Sequence, residues 1–225
     1  MGHTMLVNAV HKEQMRMATV DEKGKLIEFN IQMTVREPIT GNIYKGKVLK
    51  VERGLQAAFV DYGGVKDGFL PLRDVSDQYF TCGSNGANGG RATLKPGQEI
   101  IVQVVREVTG NKGALLTSYI SLPGRYLVLL PNKLCGGISR KIDSEEDRQK
   151  IKGLMEQIKV PEDMGFIVRT AGINRTKSEI QRDYQFLMRL WKDIKKKADS
   201  VAAPYFLYQE TDFGVRTLRD YLTLD

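Results

Sequence analysis

Three stretches decide how the 225-residue chain folds: Asn42-Ile43-Tyr44-Lys45-Gly46-Lys47-Val48, Gln56-Ala57-Ala58-Phe59-Val60-Asp61-Tyr62-Gly63 and Asp67-Gly68-Phe69-Leu70-Pro71-Leu72. Each is short, rich in β-branched and aromatic residues, and bounded by glycine, aspartate or proline, which is how strands separated by tight turns are written. The same rhythm predicts strands over Ile43 to Glu52, Leu55 to Asp61, Gly68 to Leu72, Glu99 to Arg106 and Ala114 to Ile120. Five antiparallel strands of this size fit a small barrel of the OB type. Between the third and fourth, Thr81 to Gly97 contains Gly83, Gly86, Gly89, Gly90 and Gly97 without any apolar period, and reads as a long, mobile surface loop.

Outward from the barrel the pattern changes. Upstream, Met15, Met17 and Thr19 alternate with more polar neighbours, Asp21-Glu22-Lys23-Gly24 turns the chain, and Lys25 to Met33 continues as a second strand. Two strands alone are marginal, so this hairpin needs further sheet from elsewhere. Downstream of Gly124, a strand-like Tyr126 to Leu130, a helix from about Ser144 to Ile158 and a strand Phe166 to Arg169 form a separate α+β unit. Ser144-Glu145-Glu146-Asp147 looks like an N-cap with acids in the first turn, and Thr176-Lys177-Ser178-Glu179 has capping-box form. The helix beginning there puts Ile180, Tyr184, Leu187, Met188, Trp191, Ile194 and Ala198 on one face, which marks them, Trp191 included, as core. Lys192, Lys195, Lys196 and Lys197 crowd its last turns, where a solvated end complementing the helix dipole and a phosphate-tracking patch are both consistent with the pattern. From Thr211 a further helical pattern begins, with Val215, Leu218, Tyr221 and Leu222.

Composition narrows the partner. Lys+Arg 34 against Asp+Glu 27 gives a net charge of +7, which suits an anionic partner without distinguishing RNA, DNA or an acidic membrane. The 2 cysteines, Cys82 and Cys135, form no C-x-x-C pair, so neither a disulfide framework nor a zinc ribbon is supported and a reducing, cytoplasmic setting is the default. The longest apolar run, Tyr126 to Pro131, is far short of the ~20 residues of a membrane span.

Two groups of residues can carry chemistry. In the barrel, Phe59 and Phe69 offer flat surfaces to unpaired bases, worth about 1–3 kcal/mol per stacked base. Tyr44 and Tyr62 are weaker candidates, because strand parity must turn two of the four rings inward. Lys112 in Asn111-Lys112-Gly113 projects a cation from a hairpin tip, as a phosphate contact or as an ordinary turn lysine. The second group is Gly136 to Lys141 with Gly165 to Gly172, where Arg140, Arg169 and Thr170 stand at strand ends flanked by glycine or small hydroxyl residues. There a guanidinium fork, a hydroxyl and backbone N–H groups can converge on one oxyanion. Asp61, Asp67, Asp74 and Asp77 read as turn and helix-start residues and not as a metal site.

The barrel stretches have the style of the ribosomal-protein type of RNA-binding OB barrel. With Gly110 to Ala114, Ile120-Ser121-Leu122-Pro123-Gly124-Arg125-Tyr126-Leu127-Val128, Gly136 to Lys141, Val168-Arg169-Thr170-Ala171-Gly172 and Arg219-Asp220-Tyr221-Leu222 in this order, the chain closely resembles the ribonuclease E/G family throughout. The resemblance implies an α+β, multi-subdomain fold: a five-stranded antiparallel OB barrel and an α+β sensor unit inserted into an incomplete RNase-H-like subdomain. Its pieces would be 1–38 for the first RNase-H-like part, 39–119 for the barrel, 120–212 for the 5′ sensor and 213–225 for the truncated start of the second RNase-H-like part. Carried over position by position, Phe59, Phe69 and Lys112 match the family's RNA contacts, and Gly124, Val128, Arg140, Arg169 and Thr170 match its 5′-monophosphate pocket. The family is a magnesium-dependent endoribonuclease with a zinc-linked homo-oligomer. Its catalytic aspartates and zinc cysteines are expected beyond this chain's end, so the chain as it stands is expected to bind RNA and not to cut it. A stand-alone OB-fold protein binding single-stranded RNA without a nuclease role is the alternative, and a small-anion or nucleotide binder using Arg169 and Thr170 is a third.

Overall fold

The computed structural model describes residues 3–11, 14–33, 38–80, 94–107, 112–133, 136–158, 164–210 and 219. The chain divides into two compact units, 1–38 with 211–225, and 39–210.

The described part of the first unit is one antiparallel sheet of β1 (Thr4–His11), β2 (Gln14–Val20) and β3 (Leu26–Met33), in the order β1-β2-β3. The upstream segment is therefore three-stranded and not the hairpin expected. No alternation marks β1 in the sequence, since Leu6 and Val7 stand side by side, and both are more than half exposed. Asp21 makes the expected turn, its carboxylate accepting from the N–H groups of Lys23 and Lys25, with Gly24 at φ 76°. Leu26, Ile27, Phe29 and Ile31 remain about half exposed.

The second unit begins with the barrel: β4 (Ile43–Glu52), β5 (Ala57–Asp61), β6 (Gly68–Pro71), β7 (Glu99–Arg106) and β8 (Leu115–Thr117). They pair in the order β4-β5-β6-β8-β7, and β7 pairs back onto β4, which closes the sheet. The closure includes one parallel pairing, β6 with β8 at Phe69↔Leu115, so the barrel is not wholly antiparallel. β5 starts two residues later than Leu55, because Arg53–Leu55 forms a 3-10 turn that Gln56 ends in the left-handed region at φ 49°. Val48, Ala58, Val60, Leu70, Val102, Val104 and Leu116 fill the interior, Tyr62 closes one part of it, and Leu94 is buried against them. Residues 81–93, most of the glycine-rich loop, lie outside the described residues.

The rest of the unit is a second sheet of β9 (Leu122–Pro123), β10 (Leu127–Leu130), β11 (Gly136–Ile138) and β12 (Gly165–Val168), in the order β11-β12-β10-β9, with β11 parallel to β12. Helix α1 (Glu145–Glu156) is capped by Ser144, and α2 (Lys177–Ser200) opens with a complete Thr176/Glu179 capping box. The apolar face of α2 is buried as the periodicity requires, with Trp191 only 3% exposed in the core shared with β9, β10 and β12. Removing a ring so placed costs about 3–5 kcal/mol. The unforeseen element is β13 (Tyr205–Tyr208), which leaves α2 and pairs antiparallel with β4. The helical pattern after Thr211 falls outside the described residues except at Arg219.

Candidate nucleic-acid interface

Strand register assembles the barrel's surface. Phe59 in β5 is directly opposite Phe69 in β6, and opposite Lys50 in β4 on its other side. Directly opposed side chains share a face, and the two phenyl rings meet edge to face, with centroids 5.9 Å apart at 78°. The Lys50 ammonium stands 4.8 Å above the Phe59 ring, within cation–π range. Phe59, Phe69 and Lys112 line one groove of about 590 Å³ together with Asp67, Arg106, Glu107, Gly113 and Leu115. The tip that carries Lys112 is pressed close, since a Cβ on Gly113 would run into the Asp67 carbonyl. Both phenylalanines are half-buried, so their edges are held while part of each ring faces outward.

Parity turns the two tyrosines away from this groove. Tyr62 is buried and Tyr44 half-buried, and they stack edge to face at 5.1 Å. Burial pushes the Tyr62 hydroxyl above its ordinary pKa, with Tyr44 and Glu107 adding to the rise. Asp61 accepts from the Gly63 N–H at 3.0 Å, the turn role expected of it.

The second cluster is built on the parallel pair β11 and β12. Ile138 pairs with Val168, and Ser139 N–H donates to the Val168 carbonyl. Arg140 and Arg169 therefore leave neighbouring strands at the same end of the sheet, and Thr170 starts the 3-10 turn that follows. Arg169 Nη1 donates to the Gly124 carbonyl at 2.7 Å, and the Arg169 N–H donates to Tyr126 O at 2.8 Å, which fixes the direction of the half-buried guanidinium. Arg140 and Thr170 are exposed. Val128 sits on β10 beside Ile167, one strand from Arg169's own.

The 124–127 loop has an anchor that sequence reasoning missed. The Asp183 carboxylate, from α2, accepts from the N–H groups of Arg125 at 3.2 Å, Tyr126 at 2.7 Å and Leu127 at 3.0 Å. A Cβ on Gly124 would approach Asp183 Oδ2 to 2.6 Å, so only glycine lets the carboxylate come this close. Arg125 and Arg175 both lie over the Tyr126 ring, at 5.3 and 5.7 Å from its centroid. On the sequence, Asp183 is one more acid on a charged helix face; nothing in its spacing indicates a loop more than fifty positions upstream.

Among the described residues no group of three or more His, Cys, Asp or Glu side chains could hold a metal ion. No described helix is long and apolar enough to cross a membrane.

A closed five-stranded barrel with an aromatic and cationic groove defines an RNA-binding domain of the S1 class, and residues 37–116 match the S1 RNA binding domain. Residues 121–225 match the Ribonuclease E/G family. Ribonuclease E of Escherichia coli (strain K12) is 44% identical over 224 residues, covering 98% of this chain and 21% of that protein. Putative ribonuclease E of Buchnera aphidicola subsp. Baizongia pistaciae is 44% identical over 98% of this chain and 54% of its own length. Ribonuclease G of Haemophilus influenzae is 37% identical over 97% of this chain and 45% of its own. The chain belongs to the ribonuclease E/G family, and it spans from about a fifth to about half of the length of these relatives.

Proposed function

We propose that this chain is the RNA-selecting part of a ribonuclease E/G-type endoribonuclease of cytoplasmic RNA processing and decay. It holds single-stranded RNA in the Phe59, Phe69 and Lys112 groove and reads a 5′-monophosphate with Arg140, Arg169 and Thr170, framed by Gly124 and Val128. In this reading 39–119 is the clamp and 120–212 the sensor, both inserted into an RNase-H-like subdomain begun by 1–38 and resumed at 213–225. The whole enzyme assembles as a metal-dependent homo-oligomer.

The observation that carries it is the Arg169 guanidinium held on the Gly124 carbonyl at 2.7 Å, at a strand end it shares with Arg140. A planar guanidinium already oriented before the ligand arrives loses less freedom on meeting a terminal phosphate, and charge-assisted bonds of this kind are the strong ones. The dianionic end also meets two cations there where a 5′-hydroxyl meets none of its own charge.

Matched oligoribonucleotides ending in 5′-phosphate and in 5′-hydroxyl, titrated against the chain by fluorescence anisotropy, test the reading. The phosphorylated strand is expected to bind more tightly. Equal affinities remove the sensor assignment and leave a barrel that binds RNA without regard to its end.

A further inference from the structure

The outer face of the barrel continues past Phe59. β5 and β13 lie along the same edge of β4: β5 takes Lys47 to Glu52 and β13 takes Ile43 to Lys45, while β7 occupies the opposite edge. Paired residues share a face, as do alternate residues along a strand. Phe59, Asp61, Lys47, Lys45 and Tyr205 therefore form one row on the outside of the sheet.

At the far end of the row Tyr205 is 43% exposed, and its neighbour Phe206, on the other face, is 42% exposed. Lys197 Nζ stands 5.1 Å from the centroid of the first ring and 5.9 Å from that of the second, and its ammonium donates to the Leu207 carbonyl at 3.2 Å. Phe206 is backed by Tyr44, centroid to centroid 5.3 Å. A held cation beside an outward ring repeats, on another strand, the combination of Lys50 with Phe59, while Phe206, paired with Tyr44, takes the opposite face. The charges between the two clusters are Lys45, Lys47, Asp61 and Glu99, the last two directly opposite Lys47 on either side. Lys45 is taken up by Glu99 at 2.7 Å and by the carbonyls of Ala198 and Val201. Lys47 is exposed, and the Asp61 carboxylate is engaged by the Gly63 N–H.

We infer that Tyr205 and Lys197 form a second stacking subsite for single-stranded RNA, which receives a base of a strand leaving the Phe59 and Phe69 groove, with Lys47 as the backbone contact between them. The inference rests on the barrel reading proposed above. From Lys50 to Lys45 along β4 is roughly 16 Å at the ordinary rise of a strand. At the roughly 3.4 Å step of a stacked strand that is about five nucleotides, inside the about 4–16 that barrels of this class cover. Every nucleobase has a flat face, so the subsite lengthens the bound segment without selecting its sequence.

The test uses the whole chain and 5′-hydroxyl oligouridylates of about 4 and about 16 nucleotides, the limits of that range. Tyr205→Ala is expected to leave the short probe's affinity unchanged and to weaken the long one about tenfold, the effect of one stacked base. Tyr205→Trp is expected to restore the long probe's affinity, and its fluorescence to be quenched by the long probe only. If Phe59→Ala weakens both lengths while Tyr205→Ala weakens neither, the subsite is refuted and the barrel reading stands. Loss of both lengths in Tyr205→Ala, together with a lowered melting temperature, also refutes it, by showing that the ring only supports the fold. If Phe59→Ala itself has no effect, the barrel reading fails and takes the subsite with it.

Discussion

The groove at Phe59 and the cluster at Arg169 are positioned by different physics. The rings stand in the middle of paired strands, where register alone makes Phe59 and Phe69 neighbours. The cations stand just past strand ends, and their placement depends on hydrogen bonds: Arg169 on the Gly124 carbonyl, the 124–127 loop on Asp183. A stacked base tolerates small shifts of its platform, whereas a terminal phosphate needs donors aimed at three oxygens. The sheet suits the first demand, and a loop fastened at several points suits the second.

Substitutions should separate the two regions, and the largest expected effect lies in the loop. Arg169→Ala should abolish the preference for a 5′-phosphate, a loss of about 1.5–3 kcal/mol for each charged bond removed, while hydroxyl-ended RNA binds as before. Asp183→Asn should lower the same preference in part, because the loop loses strong acceptors. Anisotropy titrations with both end types read out each variant. Phe59→Ala should weaken both RNAs alike by about 1–3 kcal/mol. If that substitution changes the end preference instead, the regions are not the independent devices described. Lys112→Ala should act more weakly, reducing the salt dependence of log K by about 0.7, the value per phosphate neutralised on a single strand.

The smallest effect concerns pH and fold stability. Glu99 is held below the usual carboxylate range by the Ala203 N–H and by Lys45, and Glu179 by the N–H and hydroxyl of Thr176. A carboxylate depressed in the folded state stabilises above its unfolded value, near 4.5, and that contribution is lost as pH falls through the lower folded value. Thermal melts should therefore show a modest loss of stability below about pH 4.5 that Glu99→Gln and Glu179→Gln each reduce.

What the chain's own letters reveal follows the range over which each feature is encoded. β4 and β7 run as expected from end to end, because alternation of buried and outward residues is written within each strand. The face of α2 was equally plain, from Ile180 to Ala198 at helical spacing. β13 was not, since Tyr205-Phe206-Leu207-Tyr208 is a short aromatic run whose partner, β4, lies far upstream. Asp183 was missed for the same reason: its three donors are distant in sequence, and only folding brings them to it. In the barrel, parity required two of the four rings to turn away but did not say which, and the register resolves this in favour of Phe59 and Phe69 facing outward.

The pairing of β13 with β4 has a consequence for any attempt to dissect the protein. Residues 43–45 would be left with bare amide and carbonyl groups along one side if the chain were cut after the barrel, and an uncovered strand margin invites pairing between molecules. The smallest fragment that leaves no such seam open extends to Glu210, so the two halves of this unit are better studied as one piece than apart.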